Sequence, residues 1–352
     1  MKIVSIVGAR PQFIKAAAVS RVIRKIPSIH EILLHTGQHY DQNMSAVFFH
    51  ELNIPQPDYN LEVGSGSHAQ QTGKMLMKIE EVLIKEQPDW TLVYGDTNST
   101  VAGSLAAAKL HIPVAHVEAG LRSFNREMPE EINRIITDRI SDLLFAPTRT
   151  AILNLNNEGL KNITVFTGDV MYDSVLYYRD LIFSNPEKYK TENLPPFYLL
   201  ATIHRSENTD NRKNIVSILD SFSKASLPVV FPLHPRTKKA ISLIGKFPGN
   251  VIVIEPVGYL EMLKLTLDSV KVLTDSGGLQ KEAYFLGKQC ITLRTETEWI
   301  ETLHDGWNII TGTDRIKILE AIDSPLPTAK QKSEFGDGQA ACKIVEYLES
   351  KT

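Results

Sequence analysis

The residues able to do chemistry stand at the ends of short apolar runs. Arg10 follows KIVSIVG, Asp96 ends WTLVYGD, His116 and Glu118 lie in PVAHVEAG, His204 ends FYLLATIH, His234 falls in PVVFPLHP, and residues 275–278 close VKVLTDSGG. In open α/β sheets ligands bind beyond the carboxyl ends of the strands, which makes these the positions to weigh. Gly8-Ala9-Arg10-Pro11 stands where a GxGxxG would follow the first run, and no Walker A sequence occurs. Neither an NAD site of the usual kind nor a P-loop NTPase is supported. Instead, Thr274-Asp275-Ser276-Gly277-Gly278-Leu279-Gln280 follows an apolar run and opens a helical one. Free N–H groups and the helix dipole favour phosphate at such a start, and Gly277 and Gly278 let it approach the backbone. The same residues also fit a plain strand–helix turn that Ser276 merely caps. Glu282, in the first turns of that helix, could accept from ribose hydroxyls or simply face solvent.

Arg10 and Lys15 flank the first strand–helix junction. A guanidinium offers several donors to a diphosphate without changing protonation, although a surface salt bridge would use Arg10 equally well. Asp96 could be an ordinary N-cap for a helix at 97–110, and Glu131 could belong to a helix N-terminus, where carboxylates are favoured. Glu118 is harder to set aside, because it follows an apolar strand where a bare carboxylate is costly. Carboxylates converging from separate loops suggest acid–base work. A metal is the competing idea for His116, Glu118 and His111, but no HExxH or Cys cluster supports one.

The elements that must position these residues alternate throughout. In the first half the apolar runs start at residues 2, 31, 90, 113, 143 and 163, separated by segments of helical spacing such as 12–25, 74–86 and 99–110. Continuous apolar runs are the mark of parallel strands covered on both faces, and strand–helix alternation means βαβ units. The pattern restarts with runs at 197, 228, 251, 270 and 289, after a polar, Pro-bearing stretch at 184–196. This predicts an α/β protein of two Rossmann-like, doubly wound parallel-sheet domains, at 1–170 and 171–335, facing a cleft. The last segment, 338–349, reads as an amphipathic helix closing the chain.

Composition agrees. A chain of 352 residues predicts about two domains. Lys and Arg number 38 against 41 Asp and Glu, a net charge of −3, which argues against a nucleic-acid partner held by a global basic field. No run approaches 18 uninterrupted apolar residues, which excludes a membrane-spanning helix. MKIVSIVGARPQ lacks the features of a secretory signal, and Cys290 and Cys342 are too few for a disulfide framework. A soluble, cytoplasmic protein is expected.

Taken together, GARPQFIKA, GQHYDQNMS, VYGDTNSTVAG, AHVEAGLRS, MPEEINR, TIHRSEN, LHPRT, LTDSGGLQKEA and TETEWIE resemble the non-hydrolysing UDP-N-acetylglucosamine 2-epimerases. Each motif alone is weak; their order from Met1 to the last helix is specific. The resemblance implies a GT-B arrangement, usually a homodimer, with the active site in the cleft, a UDP-sugar as partner and the final segment, 336–352, crossing back to the first domain. It implies a diphosphate held on the backbone of Ser276, Gly277 and Gly278 near Arg10 and His204, and a ribose on Glu282. Asp96, Glu118 and Glu130 match the family's acid–base carboxylates, while Lys15, Arg134 and His204 match other active-site positions. Neither metal nor cofactor is implied.

The implied chemistry needs no redox step. The hydrogen on C2 of the sugar is not next to a carbonyl, so it is removed together with loss of UDP from C1. UDP then re-adds to the glycal-type intermediate while a proton reaches the opposite face of C2. Some segments depart from better-known members: Gln12 stands in GARPQ where GTRPE is usual, the residues after Gln38 are spaced differently from the segment of substrate-activated enzymes, and TEWIE replaces TERPE. These variants resemble the branch acting on UDP-2,3-diacetamido-2,3-dideoxyglucuronate, in which Arg122 or Arg126 could pair with a sugar carboxylate or simply hold a loop. A GT-B glycosyltransferase, a hydrolysing epimerase and a non-catalytic UDP-sugar sensor are the rival readings.

Overall fold

The computed structural model describes residues 1–38, 52–189, 191, 193–242 and 247–351, with Arg10 described by its backbone alone. The chain forms two compact units, residues 1–174 with 333–352, and residues 175–332. A single helix, Val170–Ser184, runs through the junction without a Gly or Pro, which is why composition marks no break there.

Unit 1 holds seven strands: β1 (Lys2–Val7), β2 (His30–His35), β3 (Tyr59–Asn60), β4 (Trp90–Tyr94), β5 (Val114–Val117), β6 (Leu143–Ala146) and β7 (Thr164–Phe166). They pair in the order β3-β2-β1-β4-β5-β6-β7, all parallel. Its helices are α1 (Arg10–Ile23), α2 (His68–Glu86), α3 (Asn98–Lys109), α4 (Pro129–Ile140), α5 (Arg149–Asn157) and α6 (Val170–Ser184). Unit 2 holds β8 (Leu199–Thr202), β9 (Val229–Pro232), β10 (Val251–Ile254), β11 (Lys271–Thr274), β12 (Gln289–Thr292) and β13 (Asn308–Ile310), ordered β10-β9-β8-β11-β12-β13 and again parallel. Between these strands run α7 (Ser206–Thr209), α8 (Arg212–Ser223), α9 (Pro235–Ser242), α10 (Tyr259–Asp268), α11 (Gly277–Phe285) and α12 (Arg315–Asp323); α13 (Ala340–Glu349) closes the chain.

Both sheets reverse direction once, between β1 and β4 in unit 1 and between β8 and β11 in unit 2. At such a point the loops leaving the two strands diverge and open a crevice at their carboxyl ends. The apolar runs become central strands because both faces are buried: Val4, Ile6, Leu34 and Val93 pack on Met75, Ile79, Ala102 and Ala106. Helix α3 lies close on the sheet through small residues; a Cβ at Gly103 would sit 2.7 Å from Ile6 Cδ1. Strands β3 and β13, two and three residues long, show no apolar run and escape sequence reading. Helix α2 begins six residues before the apolar stripe at 74–86, its start set by Ser67, whose side chain accepts from the Gln70 N–H.

The last helix is anchored by a distant carboxylate. Helix α13 packs on α1, and its own N-cap residue, Gln339, provides no side-chain cap. Asp173 of α6 takes that role, accepting from Ala340 N at 3.1 Å and Ala341 N at 2.7 Å. Burial pushes the Asp173 carboxyl up to about 6, although those two N–H groups pull it down. Among the described residues no helix is long and apolar enough to cross a membrane.

Candidate active site

The crevice of unit 1 is built around the turn that follows β1. Gln12 is 1% exposed; its amide oxygen accepts from Gly8 N (2.8 Å) and Ala9 N (3.0 Å), and its amide nitrogen donates to Tyr94 O (2.7 Å) and Thr100 Oγ1 (3.0 Å). An ionised glutamate there would have no hydrogen to donate to Tyr94 O, so it is the amide of Gln12 that ties the β1 turn to the end of β4. Arg10 opens α1, and its side chain lies outside the described residues.

One turn further on, Lys15 projects to the end of β5 and its ammonium bonds Glu118 Oε2. Both residues are buried, at 7% and 6% exposed. Glu118 adopts φ +72°, a left-handed backbone that costs a non-glycine residue roughly 1–2 kcal/mol and that recurs at functional sites. The turn carries the carboxylate out of the line of the strand while the Glu118 and Ala119 N–H groups bond Phe145 O. Gly95, at φ +62°, makes the room: a Cβ there would lie 3.1 Å from Lys15 Nζ and 3.3 Å from Glu118 Oε2.

Asp96 follows directly. Thr97, rather than Asp96, caps α3, accepting from Thr100 N at 3.4 Å. That leaves Asp96 Oδ2 for Arg134, whose Nε and Nη2 donate at 3.0 and 2.6 Å. Arg134 Nη1 donates to Glu131 at 3.0 Å. Glu131, 1% exposed, also accepts from Ser123 N, Ser123 Oγ and Phe124 N, pinning the loop before α4. Burial opposes its charge, but these donors outweigh burial and hold the carboxyl below its ordinary range. The structure therefore brings Asp96 to Arg134 and Glu118 to Lys15. Glu130 stands exposed in the first turn of α4, its carboxylate making no hydrogen bond or ion pair among the described residues.

Arg122 goes elsewhere. Its Nη1 meets Asp138 Oδ2 at 2.7 Å and Leu121 O at 2.7 Å, while Nε and Nη2 fork onto Glu158 at 2.7 and 2.8 Å. Its side chain is 1% exposed, so this guanidinium holds a loop, the structural alternative for that residue. Arg126 is exposed in the same loop. His116 is likewise committed, with Nδ1 2.7 Å from Asp138 Oδ1 and Nε2 2.7 Å from Gly95 O. Among the described residues no group of three metal-ligating side chains forms. Sequence reading misses Asp138, although Glu131, Arg134 and Asp138 share one buried face of α4; charged residues at helical spacing were the available signal.

The crevice of unit 2 is held by Asp275. This carboxylate is fully buried and accepts from His204 N (3.0 and 3.1 Å), Arg205 N (3.0 Å) and Asn208 Nδ2 (3.0 Å). His204 Nδ1 stands 3.4 Å from Asp275 Oδ1 on an imidazole 39% exposed, so the ring is oriented yet accessible. His234 stacks at a tilt beside it, with centroids 5.7 Å apart. Ser276 caps α11 through Leu279 N at 3.4 Å, while Gly277 and Gly278 form the first turn. A Cβ on Gly277 would lie 2.6 Å from Glu298 Oε1; near Gly278 the closest atom is Ser276 Oγ at 3.9 Å, leaving the helix start open. Burial opposes the charge of Glu298, but Arg294 at 2.8 Å and Arg205 at 3.8 Å keep its carboxyl low. Glu282 is 6% exposed and does not face solvent.

Chemically, unit 1 presents two carboxylates, each directed by a buried cation, and unit 2 presents an oriented imidazole beside an open helix N-terminus, the requirements of proton transfer and of phosphate binding respectively. Residues 21–349 match the UDP-N-acetylglucosamine 2-epimerase family. The chain is 54% identical to a UDP-N-acetylglucosamine 2-epimerase homolog of Methanococcus maripaludis, over 99% of both chains. It is 51% identical to the UDP-2,3-diacetamido-2,3-dideoxy-D-glucuronate 2-epimerase of Pseudomonas aeruginosa, again over 99% of both. The crystal structure of Methanocaldococcus jannaschii UDP-GlcNAc 2-epimerase in complex with UDP-GlcNAc and UDP superposes with a TM-score of 0.90 at 44% identity, covering 99% of this chain and 100% of that one. The family match over residues 21–349 agrees with identity and fold over 99% of the chain, and the chain belongs to the UDP-N-acetylglucosamine 2-epimerase family.

Proposed function

We propose that the protein interconverts UDP-N-acetylglucosamine and UDP-N-acetylmannosamine by non-hydrolytic epimerisation at C2, supplying precursors for surface polysaccharide. The observation that carries this reading is the Lys15–Glu118 pair, a buried carboxylate on a strained backbone at a switch-point crevice, with Asp96, held by Arg134, directly following Gly95, the residue that makes room for the pair. Removing the C2 proton while UDP leaves C1 asks for two separate provisions. Carboxylates must exchange protons with C2, and Asp96, Glu118 and the exposed Glu130 of unit 1 are assigned that work. Donors must stabilise the departing diphosphate, and Ser276, whose own N–H is held by Thr274 Oγ1 at 2.9 Å, the N–H groups of Gly277 and Gly278, the His204 imidazole and Arg10 are assigned to it, with Glu282 on the ribose. Fixed donors aimed at developing charge are the larger share of such catalysis.

A second reading keeps the reaction and changes the sugar to UDP-2,3-diacetamido-2,3-dideoxyglucuronate. It is favoured by the Pseudomonas aeruginosa relative, at 51% identity. Proton NMR in D2O with each sugar separates the two. A manno-configured UDP-sugar carrying deuterium at C2 is the expected product, and the faster substrate decides the branch. Free sugar plus UDP would mean hydrolysis instead, and tight UDP binding without exchange would remove the epimerase reading. In this reading the protein works in the cytoplasm as a homodimer, which light scattering of the purified protein tests.

A further inference from the structure

We infer that His116 is a positioning residue: it donates from both ring nitrogens, to the Gly95 carbonyl and to Asp138, and so fixes the one peptide unit on which Lys15, Asp96 and Glu118 converge. The assignment of those carboxylates to catalysis rests on the proposed function; the state of the ring does not.

Gly95 is the joint. Its carbonyl accepts from His116 Nε2 at 2.7 Å, its N–H donates to Val117 O at 3.0 Å, and its missing Cβ leaves room for the Lys15–Glu118 pair. The peptide bond that carries that carbonyl leads directly into Asp96. Turning this one carbonyl would redirect Asp96 and press the Gly95 backbone toward the ammonium and Glu118.

The ring's partners dictate its protons. A carbonyl oxygen can only accept, so Nε2 carries hydrogen. On the other side, Asp138 Oδ2 already receives Gly120 N at 3.1 Å and the Arg122 guanidinium at 2.7 Å, both donors that favour an ionised carboxylate. Oδ1 then accepts from His116 Nδ1 at 2.7 Å. Charge balance agrees: Asp138 and Glu158 supply two carboxylates, and Arg122 with a doubly donating His116 supplies two cations. A neutral ring would leave the wholly buried Asp138 carboxylate sharing the Arg122 cation with Glu158. Burial opposes the Asp138 charge, yet His116 and Arg122 together hold its carboxyl below the ordinary range.

Two substitutions divide the ring's work. An asparagine amide nitrogen falls near the place of Nδ1 and a glutamine one near that of Nε2. His116→Asn therefore keeps the Asp138 bond and loses the Gly95 bond, and His116→Gln does the reverse. With the UDP-sugar that the wild type turns over, His116→Asn should lower kcat about a hundredfold while KM changes less than about threefold, and His116→Gln should recover at least about tenfold of that loss. A role in stability alone would weaken both variants without that order. Nitrogen-15 NMR of histidine-labelled wild type should show two slowly exchanging ring N–H protons for His116, assigned by their loss in either variant. One unprotonated ring nitrogen, or equal kcat in the two variants, overturns the proposal. If either variant fails to fold, the wild-type spectrum, with assignment through Asp138→Asn, decides it. A wild type that shows no C2 exchange with any UDP-sugar sinks the epimerase reading instead, and the ring spectrum still decides for or against the double donor.

Discussion

Replacing Glu118 with glutamine changes almost no volume and removes a charge, which makes it the most direct probe of the unit 1 crevice. Lys15 is 7% exposed and its ammonium bonds Glu118 Oε2, so the substitution leaves a buried cation facing an amide. Removing one partner of a buried pair generally costs about 3–5 kcal/mol. The glutamine oxygen still accepts one hydrogen bond, which brings the expected loss to about 2–3 kcal/mol. Adding Lys15→Met to Glu118→Gln removes the ammonium that faces the amide and should restore most of that loss; because Lys15→Met alone leaves the buried Glu118 carboxylate without that ammonium, the four-membered cycle should give a coupling of at least about 2–3 kcal/mol. Urea unfolding of the four proteins, followed by circular dichroism, measures it. Turnover behaves differently, because a glutamine amide cannot take up and return a proton as the Glu118 carboxylate does: both Glu118→Gln and the double variant should lose about 10²–10⁴-fold in C2 deuterium exchange. UDP affinity by calorimetry should stay at the wild-type value, since Glu118 is not among the groups assigned to the diphosphate. Wild-type exchange in Glu118→Gln would refute the catalytic assignment. Stability effects that simply add, within about 0.5 kcal/mol, would refute the pairing.

Three other outcomes follow from the same geometry. Asp275→Asn places an NH2 group among three donors, so it should cost about 2 kcal/mol in unfolding free energy and weaken UDP binding at least about tenfold by calorimetry. Gly277→Ala drives a methyl to 2.6 Å from Glu298 Oε1, an oxygen whose carboxylate is held by Arg294; UDP affinity should fall at least about tenfold while the wild-type fold is kept by circular dichroism. Asp173, whose carboxyl is raised from 3.8 to about 6 in the folded protein, binds its proton more tightly folded than unfolded. Its stabilisation is therefore fully present below about pH 4 and lost as pH rises through about 6, an effect on the order of 2–3 kcal/mol that urea unfolding should show for wild type and not for Asp173→Asn.

The amino-acid sequence by itself determined the class of fold. Eleven of the strands coincide with apolar runs, because a parallel strand buried on both faces has to be apolar along its length, and that is a local property. It also marked the strand ends as the positions to weigh for chemistry, since that is where a doubly wound sheet exposes polar loops. Ordered motifs along the whole chain were enough to point to the family.

Partnership was decided only by the tertiary structure. Asp96 sits 38 residues from Arg134 and Lys15 sits 103 from Glu118, separations across which no spacing rule operates. Whether a carboxylate is a cap, a loop anchor or a free base depends on which donors reach it once the sheet closes. Three acids with similar sequence surroundings came apart on that ground: Asp96 yielded its capping role to Thr97, Glu131 became a buried anchor, and Glu130, its neighbour, stayed exposed. Asp138 and Asp275 show the same thing from the other side. Each is a buried carboxylate at the hub of several donors, and burial and donor count are sums over residues distant in the chain, which folding alone brings together.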